Sequence, residues 1–226
     1  MANTLANPTG GFQTFQRMDG GSPTAGMTPV WAASTDAIAI FRGDPVITCP
    51  SSIYGTGGSG AYITSIQNAS AGAPIRGIFQ GCEYYQPTVG RQVWSNYWPG
   101  ATTGSTGDVR CYIVDDPQQM FLVQGSSTST FASSMIGLNA NMTTATTSLG
   151  NTTNGLSNAS LNSTTTSSTN TGQFRIVDFY SAYAPPGIPN VGTAAFVNGT
   201  DNTTAANMVI VRLNNCERLF LTARSS

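Results

Sequence analysis

The feature that most constrains this chain is a succession of short segments rich in β-branched and aromatic residues, each closed by Gly, Pro, Asp or Ser. Spaced about ten residues apart, with no amphipathic helical stretch between them, such segments are typical of all-β sandwiches and barrels rather than of βαβ units. Turn sequences such as Gly43-Asp44-Pro45 supply the backbone angles that tight connections need. The pattern predicts strands at residues 29–33, 37–41, 46–49, 61–66, 75–79, 91–97, 109–114, 120–124, 174–180, 194–198, 207–213 and 218–222.

Two stretches depart from this pattern. In residues 126–172, 24 of 47 residues are Ser or Thr, and no charged residue occurs between Asp116 and Arg175. Apolar strands resume afterwards, so we interpret this stretch as a polar insertion with short edge strands, inside a single β domain at 28–226. Residues 1–27 are rich in Gly, Pro, Thr and Gln, which is typical of a flexible arm that is disordered or ordered on a neighbour. The predicted fold is an antiparallel, jelly-roll-like β-sandwich or barrel with an extended N-terminal arm and a long Ser/Thr/Asn-rich insertion.

The composition argues against most catalytic functions. The chain has nine Arg, no Lys and no His, with ten acidic residues and a net charge of −1. Without His there is no Ser-His or Cys-His nucleophile and no His-ligated metal. Without Lys there is no Schiff base and no phosphate-binding P-loop. The charge balance also disfavours a nucleic-acid partner. We therefore expect no enzyme activity, no cofactor and no metal.

The cysteines and the N-terminus indicate where the protein is made. No basic and apolar signal segment opens the sequence and no apolar run is long enough for a membrane span, so we expect synthesis in a cytoplasm and no membrane partner. Cys49, Cys82, Cys111 and Cys216 lie in strand-like apolar contexts without a Cys-x-x-Cys pair. Buried thiols are the favoured interpretation, and one or two disulfides are the alternative.

Two clusters of chemically interesting residues have structural alternatives. Asp115 and Asp116 are adjacent in sequence, so on a strand they would point to opposite faces and could not share a proton; a turn before Pro117 explains them better. The segment Trp94-Ser95-Asn96-Tyr97-Trp98 concentrates aromatic residues. It is interpreted as core plus partner contact, with a sugar-stacking platform as the alternative.

Several short motifs follow one another in order over most of the chain. They are Met1-Ala2-Asn3, Pro8-Thr9-Gly10-Gly11-Phe12, Asp19-Gly20, Ser22-Pro23, Phe41-Arg42-Gly43-Asp44-Pro45-Val46, Gly77-Ile78-Phe79-Gln80-Gly81-Cys82-Glu83-Tyr84, Ser95-Asn96-Tyr97-Trp98-Pro99-Gly100, Val114-Asp115-Asp116-Pro117 with Phe121, and Gln173-Phe174-Arg175-Ile176. Taken in this order, the motifs resemble those of the capsid decoration (cement, head-stabilising) proteins of tailed bacteriophages.

The resemblance implies a non-catalytic structural virion protein on the outer surface of the phage capsid, synthesised in the host bacterial cytoplasm. Its partners would be the major capsid protein, whose neighbouring subunits it bridges, and copies of itself in a dimer or trimer. Phe12, Phe15 and Arg17 are the predicted arm contacts, and Trp94 and Trp98 are predicted near the main contact or the core. The alternative function is a virion or cell-surface adhesin that recognises glycans through the aromatic cluster and the Thr/Asn loops.

Overall fold

The computed structural model describes residues 10–22, 26–32, 37–49, 65–100, 109–126, 128, 130–143, 150–169, 171–180 and 205–218. This part of the chain is all-β, with antiparallel pairing throughout its sheets apart from single parallel contacts. Its one helical element is a three-residue 3₁₀ turn at Ser133–Met135. The strands are β1 (Gln13–Arg17), β2 (Thr28–Ala32), β3 (Ile40–Phe41), β4 (Pro45–Cys49), β5 (Ser65–Asn68), β6 (Gly77–Gln86), β7 (Arg91–Ser95), β8 (Tyr97–Trp98), β9 (Val109–Val114), β10 (Gln119–Gln124), β11 (Asn139–Met142), β12 (Gly150–Asn151), β13 (Leu156–Ser157), β14 (Leu161–Ser167), β15 (Phe174–Phe179) and β16 (Met208–Leu213).

The predicted all-β sandwich or barrel is confirmed, and the structure contains a closed barrel. Its strands follow one another in the order β4-β5-β2-β9-β6, and pairing of β6 with β4 closes the ring. Strand β7 extends the sheet beyond β6 as an antiparallel hairpin arm. The short β3–β8 ladder brings Ile40 and Trp98 into the same core as the barrel strands. Closure leaves no free edge within the ring itself, which protects it from unwanted strand pairing.

A second sheet of six strands, in the order β1-β10-β16-β15-β11-β14, packs against the barrel. The barrel wall separates two apolar cores because successive side chains on a strand point to opposite faces. On β6, Phe79 lies in the barrel core and its neighbour Ile78 lies in the core against the second sheet. Ile113 and Val114 on β9 divide in the same way. At these positions β6 and β9 are therefore buried on both faces.

The structure corrects the expectation of a flexible arm for residues 10–22. Gln13–Arg17 form edge strand β1, which pairs with β10 of the second sheet. Phe12, just before it, is fully buried in the core between the sheet and the barrel. Its N–H donates to the carbonyl of Gly43 (3.0 Å), so backbone pairing and apolar burial both attach the segment to the body. Residues 1–9 and 23–25 lie outside the described residues.

The polar insertion also contributes regular structure. Strand β14 is an edge strand, as predicted, but β11 lies inside the sheet between β15 and β14. Buried uncharged side chains with hydrogen-bond partners, such as Gln173, make this possible. The Gln173 amide donates to the carbonyls of Ser70 and Ala73 (2.8 and 2.9 Å), and its oxygen accepts from the backbone of Met142 (3.1 Å). The predicted strand at 194–198 and most of those at 61–66 and 218–222 fall outside the described residues.

Candidate functional site

The three residues predicted as arm contacts occupy different environments. Phe12 stacks on Phe174 in the core, with ring centroids 4.2 Å apart, and is therefore not available to a partner in this conformation. Phe15 is half-buried and packs edge-on against Tyr180 (5.9 Å between centroids). The Arg17 guanidinium lies 3.5 Å from the Asp19 carboxylate and 3.6 Å from the Asp116 carboxylate, which precedes β10. It also donates to the side-chain oxygen of Gln118 (3.2 Å). The structure does not bring these residues together into one contact surface.

The two predicted tryptophans separate across a bend. Trp98 is fully buried in the barrel, edge-on to Tyr84. Trp94 is 52% exposed on the outer face of the β6–β7 hairpin. The bend between them is braced by Ser95, whose hydroxyl accepts from the N–H of Tyr97 (3.2 Å) and donates to its carbonyl (2.7 Å). Trp98 therefore belongs to the core, and the role of exposed Trp94 as a partner contact stays a prediction.

Trp94 is held in place by its neighbours on the barrel wall. Its ring packs directly on Gly81 of β6, where an added Cβ would lie 2.7 Å from Cζ2 of the indole. The ring of Tyr112 on β9 flanks it at 5.2 Å between centroids, and the Arg110 guanidinium lies 5.5 Å from the Tyr112 centroid. Desolvation, and then the nearby Glu83 carboxylate, raises the pKa of the Tyr112 phenol. The indole is thus fixed on one side and open on the other.

Trp94 stands in a furrow made of three adjoining depressions, of about 280, 170 and 310 Å³. Trp94 and Asn96 line both the first and the second depression, and Arg42 and Gln80 line both the second and the third. We call this feature the Trp94 furrow. The remaining lining residues are mostly small or polar: Gly10, Phe12, Gln13, Thr14, Met27, Gly43, Ser95, Tyr97, Val114, Thr153, Asn154, Gly155 and Leu156.

Arg42 is placed in the furrow by a turn that the sequence predicts. Gly43 has a positive φ of 94°, and a Cβ there would lie 2.3 Å from the Gly10 carbonyl oxygen, so only glycine fits. Asp44 closes the turn: one carboxylate oxygen accepts from the N–H of Phe41 (2.7 Å) and the other accepts from the hydroxyl of Ser157 (2.5 Å). Burial raises the pKa of this carboxyl to about 7, against the opposing effect of those hydrogen bonds.

The far wall of the furrow is the turn of the β12–β13 hairpin. Arg42 donates its N–H to the Gly155 carbonyl (3.0 Å), which joins this hairpin to the Gly43 turn. Gly155 has a φ of 72° and approaches Asn96 so closely that a Cβ would lie 2.7 Å from the Asn96 Cβ. The Asn154 side chain braces the turn by accepting from the N–H of Leu156 (2.9 Å). Hydrogen bonds and close packing therefore hold the Gly43 turn, the β12–β13 hairpin and the segment at Asn96 together around the furrow.

The acidic residues considered in the sequence have structural roles in the described chain. Asp115 is buried, accepts from the Thr28 hydroxyl (2.8 Å) and pairs with Arg76 and Arg218 at 3.4 and 3.0 Å. Asp116 accepts from the N–H of Gln118 (2.9 Å), the turn that the sequence predicts before Pro117. Within the described residues, no cluster of His, Cys, Asp or Glu is arranged to hold a metal ion. Among its described lining residues, the furrow has one charged side chain, Arg42, and no carboxylate.

Sequence reasoning found Trp94 but missed the residues around it. Arg42, Gln80 and Asn154 come from three remote segments, and no local pattern joins them to the tryptophan. The available signals were the Gly43-Asp44-Pro45 turn, which fixes the direction of Arg42, and the Asn154-Gly155 pair, which is typical of a tight hairpin turn.

No protein-family model, curated protein or solved structure matches this chain. Among the described residues, no helix is long and apolar enough to cross a lipid bilayer.

Proposed function

We propose that this protein is a capsid decoration protein of a tailed bacteriophage, which binds the outside of the assembled shell and bridges neighbouring major capsid protein subunits. The proposal starts from the order of sequence motifs described above. The structural observation that carries it is the β6–β7 hairpin, which presents apolar side chains to solvent. Tyr85 is 44% exposed and Val89 is 50% exposed, beside the half-exposed Trp94.

The outer part of this hairpin supports the proposal. Among the described residues, the register of β6 with β9 ends at Glu83, and from Tyr84 to Gln86 the strand pairs with β7. Scattered apolar side chains are normal on a protein surface, but several on one hairpin support a contact site. Tyr and Trp are also the residues most enriched at interface centres. We name the segment from Tyr85 to Val89 the hairpin tip.

Stabilisation of a shell by such a protein requires binding and no chemical step. A protein that binds assembled subunits better than free ones shifts the equilibrium toward the shell. Contacts that are weak singly become effective when one molecule touches two or more subunits, because each tethered contact works at a high effective concentration.

The first test is copy number in purified virions. A stained gel should show this protein at an abundance near that of the major capsid protein. A few copies per particle would indicate a fibre or receptor-binding part, and absence from virions would overturn the proposal.

A second test locates the contact. In co-sedimentation with assembled shells, the double substitution Tyr85→Asp with Val89→Asp should abolish binding, because it places charge at the centre of an apolar interface. Ile38→Asp is the matched control, since Ile38 is 53% exposed and lies outside the hairpin. Equal binding by both variants would exclude the hairpin tip as the contact.

A glycan-binding adhesin is the second function that the sequence allows. The observation that favours glycan recognition is the Trp94 furrow. It does not compete with shell binding by the hairpin tip, and it is developed below as a property of its own.

A further inference from the structure

The Trp94 furrow has an immobilised aromatic platform. One side of the indole rests on the Gly81 backbone and its flank meets Tyr112, yet 52% of the side chain remains exposed. A fixed, half-exposed indole offers a flat apolar surface with a negative π face. The axial C–H groups of a pyranose ring present an apolar, weakly positive face of similar size. Because the indole is already held by its neighbours, stacking of the sugar costs little side-chain conformational entropy.

Neutral polar groups surround this platform. The side-chain amide of Asn96 donates to the backbone carbonyl of Asn154 (3.4 Å), and the side-chain oxygen of Asn154 accepts from the backbone N–H of Leu156. The hairpin turn is therefore already ordered. The Asn154 NH₂ group has no hydrogen-bond partner among the described residues. Thr153 and Gln80 add a hydroxyl and a third side-chain amide to the lining. Amides and hydroxyls both donate and accept, which matches the paired donor and acceptor character of sugar hydroxyls.

A single charge lines the described furrow. The Arg42 side chain is exposed, and it has no ion-pair or hydrogen-bond partner in the described part of the chain. Its backbone is fixed on both sides, by Gly155 and by Ser157 (3.0 and 2.9 Å). Glu83 lies opposite Trp94 on β6 but lines none of the three depressions, so Arg42 is the charged side chain that a ligand in the furrow meets. Its planar fork pairs well with a carboxylate.

We propose that the Trp94 furrow binds an acidic oligosaccharide, with one pyranose stacked on Trp94, its hydroxyls on the Asn96 and Asn154 amides, and a sugar carboxylate on Arg42. The three depressions adjoin and together reach the volume of ordinary ligand sites, so the furrow accommodates several sugar units. This inference goes beyond shell binding and does not depend on it.

The test begins with the full-length protein on an array of neutral, uronic-acid and sialic-acid oligosaccharides. Calorimetric titration then compares the best acidic binder with its carboxyl methyl ester, which removes the charge and keeps the sugar rings. Trp94→Ala should weaken binding of both by about tenfold or more, the usual loss for one aromatic stacking contact. Arg42→Gln should weaken the acid by about tenfold and leave the ester unchanged, because only the acid uses the charge.

Tyr85→Ala is the matched control: it removes an exposed aromatic ring from the same hairpin, outside the furrow lining, and should leave both affinities unchanged. Far-ultraviolet circular dichroism and the urea unfolding midpoint of each variant check that the fold is intact. Failure to bind any acidic glycan, or binding that neither Trp94→Ala nor Arg42→Gln alters, would overturn the proposal. Loss of shell binding by Trp94→Ala without glycan binding would overturn it too, and would assign the indole to the capsid interface. The virion gel remains an independent measure of the decoration role.

Discussion

Replacing Phe12 by alanine tests whether residues 10–17 belong to the folded body or form a detachable arm. The phenyl ring is fully buried, and it stacks on Phe174 at 4.2 Å with an interplanar angle of 17°. Truncation of a core phenylalanine to alanine costs about 3–5 kcal/mol, the sum of lost transfer free energy and the cavity that remains. A domain of this kind has a total stability of about 5–15 kcal/mol, so Phe12→Ala should remove a large part of it.

Urea unfolding followed by circular dichroism measures this loss. With a dependence of about 2–3 kcal/mol per molar urea, the midpoint should fall by roughly 1–2.5 M. Phe15→Ala is the matched control on the same strand, because its ring is only half-buried, and it should cost about 1–2 kcal/mol. Deletion of residues 1–9 leaves β1 and Phe12 in place.

The refuting result is a Phe12→Ala midpoint within about 0.3 M of the wild type, which corresponds to less than about 1 kcal/mol. Residues 10–17 would then contribute little to the body, and the original expectation of an arm that orders on a neighbour would be restored. A truncation of residues 1–20, which removes Phe12 with its strand, should destabilise the fold at least as much as Phe12→Ala. Such a truncation therefore cannot test shell binding by itself.

The remaining predictions concern buried polar and thiol groups. The Asp44 carboxyl has a pKa of about 7 when folded and 3.8 as its ordinary value, so it binds its proton more tightly in the folded state and stabilises the protein most below about pH 4. This stabilisation should fall by up to about 1.4 kcal/mol per pH unit and be lost as the pH rises through 7. In Asp44→Asn, the urea midpoint should therefore depend less on pH between pH 4.5 and 7.5 than in the wild type. An unchanged pH dependence would exclude Asp44 as its source. Burial, with a smaller effect from the adjacent Glu83, raises the pKa of the Cys82 thiol to about 12, so an aromatic disulfide reagent at pH 8 should label Cys82 only after unfolding, as read by peptide mass spectrometry. Equal labelling in the native state would contradict its burial. Asp115→Ala removes the carboxylate that pairs with Arg76 and half-exposed Arg218. It should lower the free energy of unfolding in urea by about 2–4 kcal/mol, somewhat less than the loss of one partner from a fully buried pair. A loss under about 1 kcal/mol would mean that the cluster is solvated.

Strand positions could be predicted where local pattern and burial agree. Strand β9 alternates buried Val109, Cys111 and Ile113 with less buried residues, and its predicted bounds are the observed ones. Strand β16 differs by a single residue at its start. Both strands are held on each side by neighbours, so the apolar pattern is strong and the turn residues mark the ends.

The rest depended on contacts between remote residues. Strand β1 pairs Gln13 with Leu122, more than a hundred positions away, and its polar sequence carries no strand signal of its own. Strand β11 is internal to its sheet although Asn139 and Asn141 are polar, because Ala140 and Met142 face the core. Composition indicates how a segment is solvated on average, and it does not show which polar groups find partners after folding.

The cysteines illustrate the same limit. Cys82 and Cys111 lie directly opposite each other on β6 and β9, both buried in the barrel core. The structure has this pair as thiols, which is the favoured interpretation of the sequence. Sequence spacing alone does not reveal that the two face each other, because the pairing follows from barrel topology.

The two proposed contacts share one hairpin, and the physical chemistry of that hairpin explains why they can be separated. Tyr85 and Val89 present apolar surface at the tip and line none of the three depressions of the furrow, which suits a broad protein interface. Trp94 lies nearer the barrel, where its ring packs on Gly81 and the Gly43 turn places Arg42 in the same depression. Charge substitutions at the tip do not change the packing of Trp94 on Gly81, and Arg42→Gln does not change the tip. Shell binding and glycan binding should therefore respond to different variants of the same folded protein, and any variant that removes both must act through Trp94 itself or through the fold.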